Sequence, residues 1–261
     1  MSAVALHHRI EGSRGGAPLL LGGSLGTTLE MWQPQLHALG GRLRLIPFDH
    51  RGHGGSPVPP GPYSIEDLGR DVLALLDRLE LERVCYCGLS IGGMVGLWLA
   101  ASAPERIERL ALICTAAHLP PASSWRERAA AVRAAGTPEV VADTVVERWF
   151  TPAFAAACPE VVARHRAMIA ATPAEGYAAC CEAIAAMDLR PALARISAPT
   201  LVVAGAQDPS TPPEHGRAIA AAIADARFEL LDPCAHLANV ERAEEVNRLL
   251  EEHLLGGGGA R

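Results

Sequence analysis

Ser90 is the residue whose setting most directly suggests chemistry. It stands in Cys87-Gly88-Leu89-Ser90-Ile91-Gly92-Gly93, after a short apolar run (83–87) and before a small, apolar, helix-like one (94–100). G-x-S-x-G between a strand and a helix is the nucleophile-elbow pattern, which exposes a serine hydroxyl on a tight turn. Such a hydroxyl needs a base to take its proton, and the base needs an acid to orient it. Two downstream segments supply those types. Residues 201–208, Leu-Val-Val-Ala-Gly-Ala-Gln-Asp, read as a strand followed by a loop ending in Asp208. Residues 230–236, Leu-Leu-Asp-Pro-Cys-Ala-His, read as a strand end followed by a loop with His236. The chemistry these residues predict is acyl transfer: Ser90 as nucleophile, His236 as general base, Asp208 as the orienting acid. Asp232 is the rival acid. It lies four residues before His236, a spacing better suited to shaping the turn than to orienting the imidazole.

Acyl transfer also needs two N–H donors aimed at the tetrahedral oxyanion. The Ile91 N–H directly follows the nucleophile and is the first. The second is expected from the loop after an early strand. Leu21-Gly22-Gly23-Ser24-Leu25-Gly26-Thr27-Thr28 fits that place, and its glycines let backbone approach a ligand closely. Leu25 N–H is the candidate.

These residues must be held by a scaffold, and the pattern of apolar runs indicates which. Strands are predicted at 4–10, 18–21, 43–48, 83–87, 110–114, 200–205 and 227–231, and helices at 65–79, 93–103, 213–224 and 241–254. Short, bounded apolar runs alternating with helical stretches argue for an α/β fold, a mostly parallel central sheet flanked by helices. Asp208 and His236 would then leave the carboxyl ends of parallel strands, where sites of open α/β sheets gather. Residues 120–189 break the alternation. They hold alanine-rich helical pieces punctuated by Gly136-Thr137-Pro138, Thr151-Pro152, Cys158-Pro159 and Thr172-Pro173, each proline a plausible first helical turn. The expected organisation is a core of 1–119 and 190–255, a helical cap inserted at 120–189, and a flexible Gly-rich tail at 256–261.

Composition narrows the function further. The chain has 261 residues, 49% of them hydrophobic but only 4% aromatic, so alanine and leucine must fill much of the core. A net charge of −6 argues against a nucleic-acid or anionic-membrane surface. No apolar stretch is long enough to span a bilayer, and the first residues show no signal-peptide pattern. The seven cysteines include no C-x-x-C pair, against a zinc site or disulfide framework. The expectation is a cytoplasmic protein with reduced, buried thiols, no metal, and neither nucleic acid nor membrane as partner.

Several segments carry a family resemblance. Asp49-His50-Arg51-Gly52-His53-Gly54-Gly55-Ser56 resembles the D-x-R-G-x-G-x-S loop of the α/β-hydrolase superfamily, in which the triad runs Ser, acid, His along the chain. That loop receives no chemical role. More narrowly, residues 24–32 (Ser-Leu-Gly-Thr-Thr-Leu-Glu-Met-Trp), 56–63, 147–152 (Glu-Arg-Trp-Phe-Thr-Pro) and 187–190 resemble 3-oxoadipate enol-lactonase, with Gly22-Gly23 where that family carries Ser-Asn.

The resemblance implies an α/β-hydrolase fold with a cap. It also implies cofactor-free opening of a small carboxylated lactone, 3-oxoadipate enol-lactone, to 3-oxoadipate in the β-ketoadipate pathway of aromatic catabolism. A carboxylated substrate calls for a compensating donor. In residues 124–133, Trp125, Arg128, Ala129 and Val132 share one helical face while Arg126 and Arg133 share another. The apolar face should look inward, which makes Arg128 beside Trp125 the expected carboxylate partner. The same triad serves esterases, perhydrolases of the bacterial non-haem haloperoxidase type and carbon–carbon bond hydrolases, which stay open as alternatives. A binding protein on this fold without turnover is disfavoured by the complete set of triad residue types.

Overall fold

The computed structural model describes residues 2–256. Along the chain lie β1 (Glu11–Gly12), β2 (Pro18–Gly22), α1 (Gln33–Leu39), β3 (Arg44–Phe48), α2 (Ile65–Arg78), β4 (Val84–Leu89), α3 (Ile91–Ser102) and β5 (Ile107–Ile113). Five helices follow without a strand: α4 (Ala122–Ala135), α5 (Glu139–Val146), α6 (Pro152–Ala157), α7 (Pro159–Ala171) and α8 (Ala174–Ala186). The chain closes with β6 (Thr200–Gly205), α9 (Pro213–Ala222), β7 (Ala226–Leu231), α10 (Ala238–Glu241) and α11 (Ala243–Leu255). The strands form one sheet in the order β1-β3-β2-β4-β5-β6-β7, with β1 antiparallel to β3 and every other pair parallel. The expected α/β architecture is the one observed.

Every residue of β4 and β6 is buried, so both run as unbroken apolar segments covered on two faces. Helix α3 is buried at ten of its twelve positions, which explains why it is apolar all round rather than amphipathic. Helix α2, by contrast, is amphipathic and starts with a capping box between Ser64 and Asp67. Among the described residues, no helix is long and apolar enough to cross a membrane.

The sequence reading departs from the structure in a few places. The strand expected at 4–10 is reduced to a single bridge between His8 and Phe48, and the regular pairing is confined to Glu11–Gly12. Both lie in one register against β3. Arg9 N–H reaches Pro47 O at 3.1 Å, but Pro47 has no N–H to return, so the ladder is interrupted there. The helix expected at 241–254 is α11, which starts two residues later because Arg242 leaves helical geometry (φ −123°, ψ 49°) and Glu241 ends the short α10. Helix α1 was not anticipated. The expected tail, 256–261, lies outside the described residues apart from Gly256.

Candidate active site

Ser90 ends the β4 strand run and caps α3 with φ 58° and ψ −120°, a left-handed conformation that a non-glycine residue adopts only when its surroundings enforce it. Four hydrogen bonds enforce it here. Ser90 N–H donates to Ile113 O at 3.0 Å, Thr115 Oγ1 donates to Ser90 O at 2.7 Å, Tyr86 OH to Gly92 O at 2.9 Å, and Gly92 N–H to Gly23 O at 3.1 Å. The two motif glycines are required by close approach. A Cβ on Gly88 would collide with the Gly92 carbonyl, and one on Gly92 with the Gly22 carbonyl. The elbow is therefore packed backbone-to-backbone against the end of β2, which brings the Leu25 loop to Ser90.

The structure places His236 and Asp208 at the ends of neighbouring strands β7 and β6, with their side chains joined. His236 Nδ1 and Asp208 Oδ2 are 2.7 Å apart, both residues at least 97% buried. Asp208 also accepts from Thr211 Oγ1 at 2.7 Å and from the N–H groups of Ser210 and Thr211 at 2.8 and 3.0 Å. Burial pushes this carboxyl up, but His236 and the Thr211 donors outweigh it and hold Asp208 below the ordinary carboxylate value. Asp232 is exposed and stays in the turn. The backbone on both sides of His236 is fixed as well. Ala235 N–H donates to Glu241 Oε2 at 2.9 Å, and Leu237 N–H to Trp149 O at 2.9 Å. Glu241 accepts in turn from the Thr151 N–H and hydroxyl.

One cavity is lined by Ser90, His236 and Leu25 from the sheet side and by Trp125, Arg128 and Tyr177 of α4 and α8, with Arg148 and Trp149 from the turn after α5. Ser90, only 8% exposed, lines it. Ile91 opens α3, so its N–H has no acceptor within the helix. Leu25 lies in the loop between β2 and the following helical turn. The structure thus brings Ser90, His236, Leu25, Trp125 and Arg128 to one space, with Asp208 behind His236 and Ile91 adjoining Ser90.

Arg128 stacks on Trp125, its guanidinium carbon 4.7 Å from the ring centroid. Arg133, on the other face of α4, is taken up by Glu175 and Glu182 of α8, and Arg126 is exposed. Sequence reasoning missed Arg148 and Tyr177. Arg148 sits in the 147–152 segment that carried the resemblance, but no periodicity marked it as inward-facing. Tyr177 is fully buried, with Arg128 the charged group beside its hydroxyl. Burial raises that hydroxyl well above the usual phenol value, with Arg128 pulling the other way. Neither Arg128 nor Arg148 has a carboxylate partner among the described residues. The cavity wall therefore offers two guanidinium groups and a phenol to whatever lies beside Ser90, and no carboxylate lines it.

Residues 17–243 match the family described as having the alpha/beta hydrolase fold. The chain is 43% identical to 3-oxoadipate enol-lactonase 2 of Acinetobacter baylyi over 249 residues, 95% of this chain and 92% of that protein. The crystal structure of the enol-lactonase from Burkholderia xenovorans LB400 matches with a TM-score of 0.94 at 44% identity, covering 97% of each chain. A protein named as the putative carbamate hydrolase RutD, from Variovorax paradoxus, is 34% identical over 96% of both chains. A match that runs from β2 through the histidine loop, on a sheet of this strand order, makes the chain a member of the α/β-hydrolase family.

Proposed function

We propose that this protein opens a small carboxylated enol-lactone, 3-oxoadipate enol-lactone, to 3-oxoadipate in the β-ketoadipate pathway, with Ser90, His236 and Asp208 as its catalytic triad. The observation that carries the substrate reading is the unbalanced positive charge of the cavity, Arg128 and Arg148 beside the buried Tyr177, in a chain of net charge −6. A carboxylate bound there gains charge-assisted hydrogen bonds, which discriminate in favour of anionic substrates. The similarity to named enol-lactonases supports the same substrate class.

In this reading His236 Nε2 takes the Ser90 proton as Oγ attacks the lactone carbonyl. Asp208 accepts the Nδ1–H bond and stabilises the imidazolium that forms. The N–H groups of Leu25 and Ile91 receive the oxyanion. Collapse of the tetrahedral intermediate breaks the ring C–O bond. The departing enolate is stabilised by conjugation, takes the proton from His236 and becomes a ketone. Water, deprotonated by His236, then cleaves the acyl-serine ester. No step calls for a metal or organic cofactor. We read residues 120–189 as a cap that supplies the cationic wall. The free cysteines, six of the seven buried, fit a reducing cytoplasmic setting.

The test is the ultraviolet signal of enol-lactone consumption by the purified protein, beside p-nitrophenyl acetate and a small carbamate. Higher kcat/KM on the lactone, lost by roughly 10⁴-fold or more in Ser90→Ala, supports the reading. Higher efficiency on either neutral substrate overturns the lactone as substrate, and activity surviving in Ser90→Ala overturns the triad.

A further inference from the structure

We infer that His53, seconded by His50, is a positioning residue for the oxyanion hole, a role that rests on the reading of Leu25 N–H as an oxyanion donor. The loop bearing Leu25 leaves the sheet after Gly22 and belongs to no strand or helix until residue 29. Its own bonds at this turn, Thr27 N–H and Thr27 Oγ1 to Ser24 O at 3.1 and 2.8 Å, hold the peptide plane that carries the Leu25 N–H but do not tie the turn to the neighbouring 49–56 loop. Two imidazoles from the 49–56 loop dock that turn, His50 sharing the Gly23 carbonyl with the Gly92 N–H. His50 Nε2 donates to Gly23 O at 3.2 Å, before Leu25, and Gly26 N–H donates to His53 Nε2 at 2.9 Å, directly after it. Asp49 Oδ1 accepts from Leu29 N–H at 2.7 Å and closes the far end.

The bond from Gly26 anchors the turn that presents the Leu25 N–H. The Gly26 N–H lies in the peptide plane that follows Leu25, so holding it fixes ψ of Leu25 and blocks a flip of that plane. Gly26 itself has φ +81°, open to glycine at little strain, so without a clamp the turn has alternatives. A backbone N–H can only donate, so His53 Nε2 must be unprotonated. Nδ1–H then donates to Arg51 O at 3.2 Å, and one neutral tautomer uses both ring nitrogens. Both rings are buried, which disfavours the imidazolium: His53 is shifted down and His50 to about 3. Neither ring lines the cavity, so their part is to aim a donor rather than to touch the substrate.

Backbone esters test this directly. Replacing Gly26 by glycolic acid removes the N–H that His53 accepts; replacing Leu25 by its α-hydroxy acid removes the oxyanion donor. With p-nitrophenyl acetate, the Gly26 ester and His53→Leu should each lower kcat at least tenfold with KM within about twofold. Affinity for a trifluoromethyl ketone, whose adduct with Ser90 carries the oxyanion, should fall by the same factor. His53→Gln, with Oε1 standing where Nε2 stands, should recover most of the loss. The inference is overturned if the Gly26 ester keeps wild-type kcat while the Leu25 ester loses it, or if His53→Gln is as impaired as His53→Leu. If the Leu25 ester keeps full activity, the oxyanion reading itself falls. The Gly26 ester carries the test should His53→Leu fail to fold.

Discussion

At the scale of the residue, the cavity divides its work between groups the sequence announced and groups it concealed. Ser90, Asp208 and His236 were readable because each follows its own strand in a recognisable local pattern. Arg148 and Tyr177 were not, because each faces the cavity only through the way α5, α8 and the intervening turns pack, and a solvated arginine or a core tyrosine has the same local sequence. Their pairing state yields a prediction. Arg128→Ala and Arg148→Ala should each raise KM for the carboxylated lactone about tenfold, the order expected for losing a charge-assisted hydrogen bond. KM for p-nitrophenyl acetate should stay within about twofold. Steady-state kinetics on both substrates check this, and equal shifts on the two would remove these arginines as anion partners. Tyr177→Phe should act in the same sense but more weakly, since it removes a neutral donor.

At the scale of the element, the elbow and the β2 loop behave as one unit because Gly92 has no side chain. Gly92→Ala would force a Cβ into the Gly22 carbonyl and push apart the two segments that hold Ile91 and Leu25. The expected outcome is a loss of about 1–3 kcal/mol in urea unfolding, the range for overpacking, with a larger relative drop in kcat than in KM. A variant of wild-type stability and kcat would show that the two loops move independently. Element boundaries in the sequence were legible where a strand is buried on both faces, as at 200–205. They failed where one backbone donor decides, as at Pro47, and shifted by two residues where a helix starts with no proline or glycine to mark it, as after Arg242. Neither failure lies in hydrophobic periodicity, the signal that located the other elements.

At the scale of the whole molecule, the fold holds a set of histidines neutral. His50 is shifted to about 3 and His253 to about 4, and His53 and His165 are also lowered, each chiefly by burial. A base whose folded value is depressed is protonated in the unfolded chain first. Stability should therefore be full above about pH 6.5 and fall as pH drops from there towards 4. Asp208 adds its own loss only below the ordinary carboxylate range, as pH falls through its depressed folded value. Urea midpoints between pH 7.5 and 4.5 should decline steadily, and His253→Gln, which keeps a donor to Leu110 O, should flatten the slope; a flat wild-type profile would contradict this. Trp149 is bonded to Leu237, directly after His236, and Thr151 to Glu241, which holds the N–H of Ala235 directly before it. Residues 120–189 are thus not an exchangeable cassette. A chimera grafting another relative's helical segment onto this sheet should misplace His236 and lose turnover, and regain it when residues 235–241 are transplanted with the graft.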